Sequence, residues 1–373
     1  MKAVDAFPRF FSRFPVYMLV LCLVSCQKGG ENPAGRRHES PFRDTIVCMA
    51  YNVENLFDLV DNGGEYPEYR PGHCGWNRET CLRKYENISG AIAAVHPDIV
   101  ILCEIENQNA LAMLHDALKQ RKCSYKYDVI ADRPNPSSTC PAILSRYPIT
   151  GTLFHGIPEE KAGKTRNILE ADIAIGTCTL KVFANHWPSK EHPESYRITA
   201  ANILKERLMS MRPGADYIIA GDFNTNYDEW ERAAAKKSGG GEEMTALGDV
   251  LRTEMLLMDG TRRYTTQQDV REFKDSLFHY DLWLELAPDY RYSYQHKNKP
   301  ETIDHILLPA SLFDSAGMSY IDGSFSVFRW NGRLLYDGKP YRWRIERSRK
   351  GMRHAGAGYS DHLPLIVKVR CCS

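Results

Sequence analysis

The stretch Tyr217-Ile218-Ile219-Ala220-Gly221-Asp222-Phe223-Asn224-Thr225-Asn226 changes character halfway along. Its first four residues are apolar and read as a buried strand. Its second half turns polar where that strand should end. Side chains alternate along an extended chain, so Asp222 and Asn224 point the same way. A carboxylate there can bind a hard cation or take a proton from water, and a carboxamide can donate to a phosphate oxygen.

Other strands along the chain finish the same way. Thr45–Asn52 closes on Asn52, and Asp98–Glu104 closes on a carboxylate. Cys178–Asn185 runs into His186-Trp187-Pro188, and Glu301–Pro309 carries Asp304 and His305 within it. Ser360-Asp361-His362 leads into a last strand at Leu365–Val369. Six strand ends thus present Asn52, Glu104, His186, Asp222 with Asn224, Asp304, and Asp361 with His362. Each alone has a plain reading: Asp-x-Asn forms turns, Asn52 caps a loop, His186 is a satisfied core histidine, and Asp304-His305 is a buried ion pair. Recurrence carries the weight, because core packing gives no reason to end so many apolar strands on polar groups.

Helices are expected at Tyr85–Val95, stopped by His96-Pro97, at Asn109–Gln120, and at Pro193–Met211 with a stripe of Ile198, Ala201, Leu204 and Leu208. Asp61–Thr80 reads as a long loop, and residues 231–245, with a Ser-Gly-Gly-Gly turn, as a surface excursion. About three helices against roughly nine strands favour two packed sheets with helices outside over a parallel sheet with one helix per crossover.

The 373 residues are 43% hydrophobic and 25% charged, an ordinary globular composition. Net charge is +1; losing residues 1–26, with Lys2, Arg9 and Arg13 against Asp5, makes it −1. Bulk charge therefore gives no case for a polyanionic partner. Lys2, Arg9 and Arg13 precede an apolar run, Pro15–Val24, too short to span a bilayer and suited to a secretory signal. Leu23-Val24-Ser25-Cys26 resembles a bacterial lipobox, which would lipidate Cys26 and anchor an exported cell-envelope protein to the periplasmic or cell-surface face of a membrane. An ordinary cleaved signal is the alternative. The expected organisation is a signal at 1–26, a flexible tether at 27–43 and one domain at 44–373, acting as a monomer.

Eleven cysteines include Cys22 and Cys26 of the export segment; the other nine are an odd number in a chain bound for an oxidising compartment. Cys74 and Cys81, in one polar loop, are the expected disulfide. Cys48, Cys103 and Cys178 lie in apolar runs and read as small core residues. No Cys/His spacing suggests zinc.

Asn52-Val53-Glu54-Asn55, the strand ending at Glu104, Asn185-His186-Trp187-Pro188-Ser189, Gly221-Asp222-Phe223-Asn224, Asp304-His305 and Ser360-Asp361-His362 occur in a familiar order. Over residues 44–370 the chain resembles the endonuclease/exonuclease/phosphatase superfamily, with its deoxyribonuclease I-like fold. The Asn-His-Trp-Pro-Ser element is most similar to extracellular nucleases of bacteria. The resemblance implies an α/β fold, a four-layer α/β/β/α sandwich with one divalent-metal phosphoesterase site along the sheet edges. It implies that Glu104 is the main Mg²⁺ ligand (Mn²⁺ as a substitute), with Asn52 nearby and Asp361 completing the environment. Asp222 would deprotonate the attacking water and Asn224 would hold a phosphate oxygen. His362, kept as imidazolium by Asp304, would stabilise the phosphoryl charge; His186 and Arg166 would contact the phosphate. Two departures stand out: residue 106 is Glu where DNA-cleaving relatives carry a basic residue, and Asp132–Leu144 is Pro/Ser-rich.

The expected activity is that of an exported nuclease or phosphodiesterase, with a sugar, inositol or sphingolipid phosphate as the alternative substrate; fold does not choose. Arg329–Arg353 has nine basic residues against Asp337 and Glu346, interleaved with Trp330, Tyr336, Tyr341 and Trp343. That mixture suits single-stranded nucleic acid, or else is a solvated hairpin on the rim. A lipid substrate predicts an exposed apolar hairpin, and none is legible. A binding lipoprotein with a dead site is argued against by the intact polar set.

Overall fold

Two mixed sheets face each other in the computed structural model, which describes residues 45–131, 139–158, 166–236, 244–274, 277–349 and 351–372. The export segment with Cys26, the tether at 27–43, the stretch 132–138 and the glycine turn at 238–241 lie outside the described residues. In chain order the sheet strands are β1 (Ile46–Leu56), β2 (Ile99–Ile105), β3 (Tyr127–Ile130), β4 (Cys140–Ser145), β5 (Ile149–His155), β6 (Ile168–Ile175) and β7 (Cys178–His186). They continue as β8 (Tyr217–Asp222), β9 (Tyr280–Asp281), β10 (Asp304–Leu308), β11 (Gly317–Tyr320), β12 (Ser326–Val327) and β13 (Leu365–Cys372). One sheet runs β11-β13-β1-β2-β4-β3, with β12 also on β13; the other runs β9-β10-β8-β7-β6-β5.

The pairings explain why polar tips collect at one place. β1 and β2 are parallel, with Asn52 opposite Cys103, so Asn52 and Glu104 finish together. β7 and β8 are parallel, with His186 opposite Asp222. β10 is antiparallel to β8, so its first residue, Asp304, lies opposite Asp222. β13 is antiparallel to β1, which brings the preceding Ser360-Asp361-His362 to the same edge.

β8 is buried on both sides, which is why it reads as a continuous apolar run. Ile218 and Ala220 pack between the sheets with Ala50, Ile101 and Val182. Tyr217 and Ile219 face outward onto Ala201, Leu204 and Leu208 of α3 (Glu194–Met209). On the other sheet, α1 (Arg78–Val95) and α2 (Gln108–Gln120) bury Tyr85, Ile88, Leu111 and Leu114. The four expected layers are present. α1 begins seven residues earlier than expected, because Asn77 and Thr80 form a capping box that opens it. β5 was not foreseen; it is an edge strand with mostly exposed side chains and no apolar run to read.

The cysteine expectation needs correcting. Cys178 and Cys371 form the disulfide, 193 residues apart, joining the start of β7 to the end of β13. Cys74 and Cys81 are free: Cys81 sits in the first turn of α1, where its Sγ faces the Phe57 carbonyl, 3.8 Å away, while Cys74 stays in the loop outside. Cys178 is thus a cross-link rather than a core filler; Cys48 and Cys103 are buried as expected. A second correction concerns the surface. The hairpin Glu254–Leu256/Arg262–Tyr264 exposes Leu256 and Met258 near its tip, so an apolar hairpin exists after all. Four apolar residues, Met255 to Met258, were too short a run to stand out.

Candidate active site

The Asn52 side chain joins the two sheets. Its Nδ2 donates to Asp222 Oδ2 at 2.9 Å and to Glu104 Oε1 at 3.1 Å. Its Oδ1 accepts the Glu54 N–H, and its carbonyl accepts from Ser360 Oγ, which in turn accepts the His362 N–H. Glu104 holds a left-handed φ of +69°, a conformation costing on the order of 1 kcal/mol for a non-glycine residue. The strain aims its carboxylate at the cleft, where Oε2 accepts the Asn55 N–H at 2.7 Å.

From the facing sheet, Asp304 Oδ2 lies 2.7 Å from His362 Nδ1 and also accepts from Ser293 Oγ. His362 Nε2 is 3.9 Å from Asp222 and 3.8 Å from Asp361. His186 Nε2 stands 3.8 Å from Glu104 and 3.7 Å from Asp222, and its buried Nδ1 has no partner among the described residues. Asn224, at φ +51°, donates its backbone N–H to Asp222 Oδ1 and its Nδ2 to the Trp187 carbonyl. It therefore fastens Asp222 in orientation, with one amide N–H left for a ligand.

Electrostatics split these groups. Burial, with Asp304 beside it, pushes Asp222 up to about 7, although His362 and the Asn224 and Asn52 hydrogen bonds pull the other way. Burial opposes charge on His362, yet Asp304, Asp222 and Asp361 raise it well above the ordinary histidine range. His186 moves down, through burial and the positive charge of Arg166 and His362. One imidazole is thus held as a cation and the other neutral.

Donor atoms of Glu104, His186 and Asp222 lie within 4.8 Å of one another, as do those of Asp222, Asp304 and His362. Two carboxylates from different sheets share one amide and face the cleft with hard oxygens, a donor set that fits a small divalent cation. Asp361 stands beside these groups, its Oδ2 3.6 Å from Arg342. Arg166 lines the same cleft and donates Nε to the Thr139 carbonyl. The cleft, of about 920 Å³, takes in Glu104, Arg166, His186, Asp222, Asn224 and His362.

Three residues were missed. Glu54 is buried next to the site and pushed up to about 7 by burial and by Asp361. Fully buried Lys84 is pushed down to about 8 by burial; its Nζ lies over the Trp343 ring. Arg342 binds Glu54 Oε1 through Nε and Nη2 at 3.1 and 2.8 Å. Glu54 belongs to the Asn52-Val53-Glu54-Asn55 motif, which is the signal for it; Lys84, on a helix, gives no signal. Within Arg329–Arg353, Trp343 is core, its Nε1 bonded to His354, so it does not offer a face to a base. Glu106 faces inward, bonded to the Asp58 N–H, and does not line the cleft.

A family model described as Endonuclease/Exonuclease/phosphatase family matches residues 49–362. Among solved structures, zebrafish (D. rerio) TDP2 humanised by 14 mutations is 14% identical, with a TM-score of 0.52 over 88% of this chain and 100% of that one. D. rerio TDP2 complexed with single-strand DNA product aligns equally, at 14% identity, TM-score 0.52, and 88% and 100% coverage. An endonuclease/exonuclease/phosphatase from Bacteroides vulgatus gives 12% identity and a TM-score of 0.52 over 88% and 100%. Likenesses this distant establish the fold alone. No curated protein matches the chain.

Proposed function

The chain belongs to the endonuclease/exonuclease/phosphatase family, and from that premise we propose that it is an exported, Mg²⁺-dependent phosphodiesterase that cleaves nucleic acid. Phosphoester hydrolysis is the chemistry of the family. One observation carries the reading: a single amide, Asn52 Nδ2, bonds a carboxylate from each sheet, at the edge where His362 and His186 also arrive.

Glu104 would hold the cation, with Asn52 and Asp361 alongside, and the ion would neutralise charge on the phosphoryl oxygens. Asp222, poised near neutrality by burial, takes the proton of the attacking water. The Asn224 backbone fixes that carboxylate's direction. His362, kept protonated by Asp304, faces the phosphoryl group with positive charge, and His186 and Arg166 line the opposite wall. Phosphoester hydrolysis is among the slowest uncatalysed reactions, so both a base and opposing positive charge are needed.

Nucleic acid is supported by the D. rerio TDP2 fold-mate complexed with single-strand DNA product. Export and a lipid anchor on Cys26 are supported by the N-terminal pattern and by the Cys178–Cys371 disulfide, a bond suited to an oxidising compartment. A second reading, a lipid phosphoester, is favoured by one observation, the exposed Leu256 and Met258 on their hairpin. A panel of DNA, RNA, sugar phosphates and phospholipid vesicles, with Asp222→Ala as control, decides between them. Turnover of DNA or RNA abolished in Asp222→Ala is expected; turnover of phospholipid alone would move the assignment to the second reading.

A further inference from the structure

Besides His362, three cationic side chains among the described residues line the cleft: Arg166, Lys190 and Arg342. Lys190 is taken up by Glu229 at 3.1 Å and Glu301 at 3.5 Å. Arg166 adjoins His186, whose protonation it opposes. Arg342 stands on the other wall, beside Glu54 and Asp361, and its side chain remains 65% exposed.

Its placement is built rather than accidental. Glu54 Oε1 holds Nε and Nη2, while Glu54 Oε2 accepts the N–H of the next residue, Trp343. The Trp343 ring is locked in the core and caps buried Lys84. Behind Arg342 the chain pairs with the segment leading to His362: Tyr359 N–H donates to the Tyr341 carbonyl and Arg344 N–H to that of Ala357. Gly358, at φ +96°, permits this, since a Cβ there would lie 1.9 Å from the Arg342 carbonyl oxygen. A long, flexible side chain is thereby fixed at both ends of its reach, with Nη1 unpartnered among the described residues. A planar guanidinium held this way is suited to receive a phosphate.

Resting on the phosphodiesterase reading, we propose that Arg342 forms a second anion subsite, which takes a phosphate next to the scissile one, and that Glu54 is its positioning residue. The preferred substrate class is then a phosphodiester bearing a neighbouring phosphate, as in an oligonucleotide, rather than one with a single charged group. Among the described residues of the basic segment Arg329–Arg353, Arg342 is the one that lines the cleft.

The test compares a dinucleoside monophosphate with its 5′- and 3′-phosphorylated forms, using the full chain with Mg²⁺. The wild type is expected to prefer one phosphorylated form by about tenfold in KM, the worth of one charged hydrogen-bond pair. In Arg342→Ala that ratio falls to about one, Arg342→Lys recovers part of it, and Glu54→Gln lowers it with kcat on the unphosphorylated dinucleotide changed much less. An unchanged ratio in Arg342→Ala, or a loss of kcat that is equal on all three substrates, would overturn the subsite and leave Arg342 a brace for Asp361. Calorimetric binding of the phosphorylated dinucleotide to Asp222→Ala, with and without Arg342→Ala, decides the matter even should turnover fail. Weaker binding by about tenfold in the double variant is expected; equal binding rejects the proposal. Absence of turnover in the wild type would count against the phosphodiesterase reading alone.

Discussion

The second sheet carries two charged clusters that follow opposite rules. Beneath α3, Glu170 on β6 receives Arg207 through Nε and Nη2 at 2.7 and 2.8 Å, His155 at 2.8 Å and Lys181 at 3.0 Å. Burial works against its charge, yet those three partners hold its carboxyl well below the ordinary range. At the tips of β7 and β8, Asp222 has only an amide, a backbone N–H and distant imidazoles, and it is pushed up to about 7. His186 Nδ1 is buried there without a partner among the described residues, and Glu104 and Asn224 hold left-handed backbones. The chain neutralises the first cluster itself. It leaves the second with negative charge for something from outside, which is how a structural network and a reactive site differ physically.

The largest expected effect separates them by activity. Asp222→Asn lowers kcat on bis-p-nitrophenyl phosphate by about 10²–10⁴-fold, the scale of a lost general base. Its thermal midpoint stays level or rises, because a costly buried carboxylate is gone. A drop in both would mean that Asp222 is structural, and the contrast with Glu170 would collapse.

Next in size is the disulfide. Cys178 opens β7 and Cys371 lies near the end of β13, so the covalent tie is at the opposite end of the sheets from Asn52. Replacing both cysteines by alanine should cost at most about 5 kcal/mol of unfolding free energy in urea, from the loop it closes. Activity per folded molecule should not change.

Glu170→Gln should destabilise by about 3 kcal/mol at pH 7, with kcat retained. The folded-state pKa of Glu170 is depressed, so its contribution is full above the unfolded value near 4.3 and is lost progressively as pH falls from there through the folded value. The gap between wild type and variant should therefore narrow steadily as pH falls below about 4. A gap that does not narrow on acidification would show that packing, not the ion network, is lost.

The smallest effect is a ligand shift. Mg²⁺ at about a hundred times its Kd should stabilise the wild type and Glu170→Gln by about 2.7 kcal/mol, and Glu104→Gln by far less. Equal shifts in all three would mean the ion sits elsewhere.

Much of the architecture was legible because two kinds of pattern agree. Apolar runs such as Ile218–Ala220 marked strands, and the polar residues just beyond them marked one edge of the stacked sheets. Asn52, Glu104, His186, Asp222, Asp304 and His362 do meet there. What escaped notice depends on contacts between distant segments. Cys178 and Cys371 are paired by the stacking of two sheets, which no spacing encodes. Glu54, Lys84 and Arg342 come from a strand, a helix and a late loop, and only folding makes them neighbours. Asn77 looked like loop because the first turn it caps is charged.

The most direct test is steady-state hydrolysis of bis-p-nitrophenyl phosphate by wild type, Glu104→Gln and Asp222→Asn, with Mg²⁺ and with EDTA. Turnover by the wild type that needs Mg²⁺ and falls at least a hundredfold in each variant is the predicted result. Turnover that persists in EDTA, or survives in Asp222→Asn, would contradict a metal-dependent site at the meeting of the two sheets.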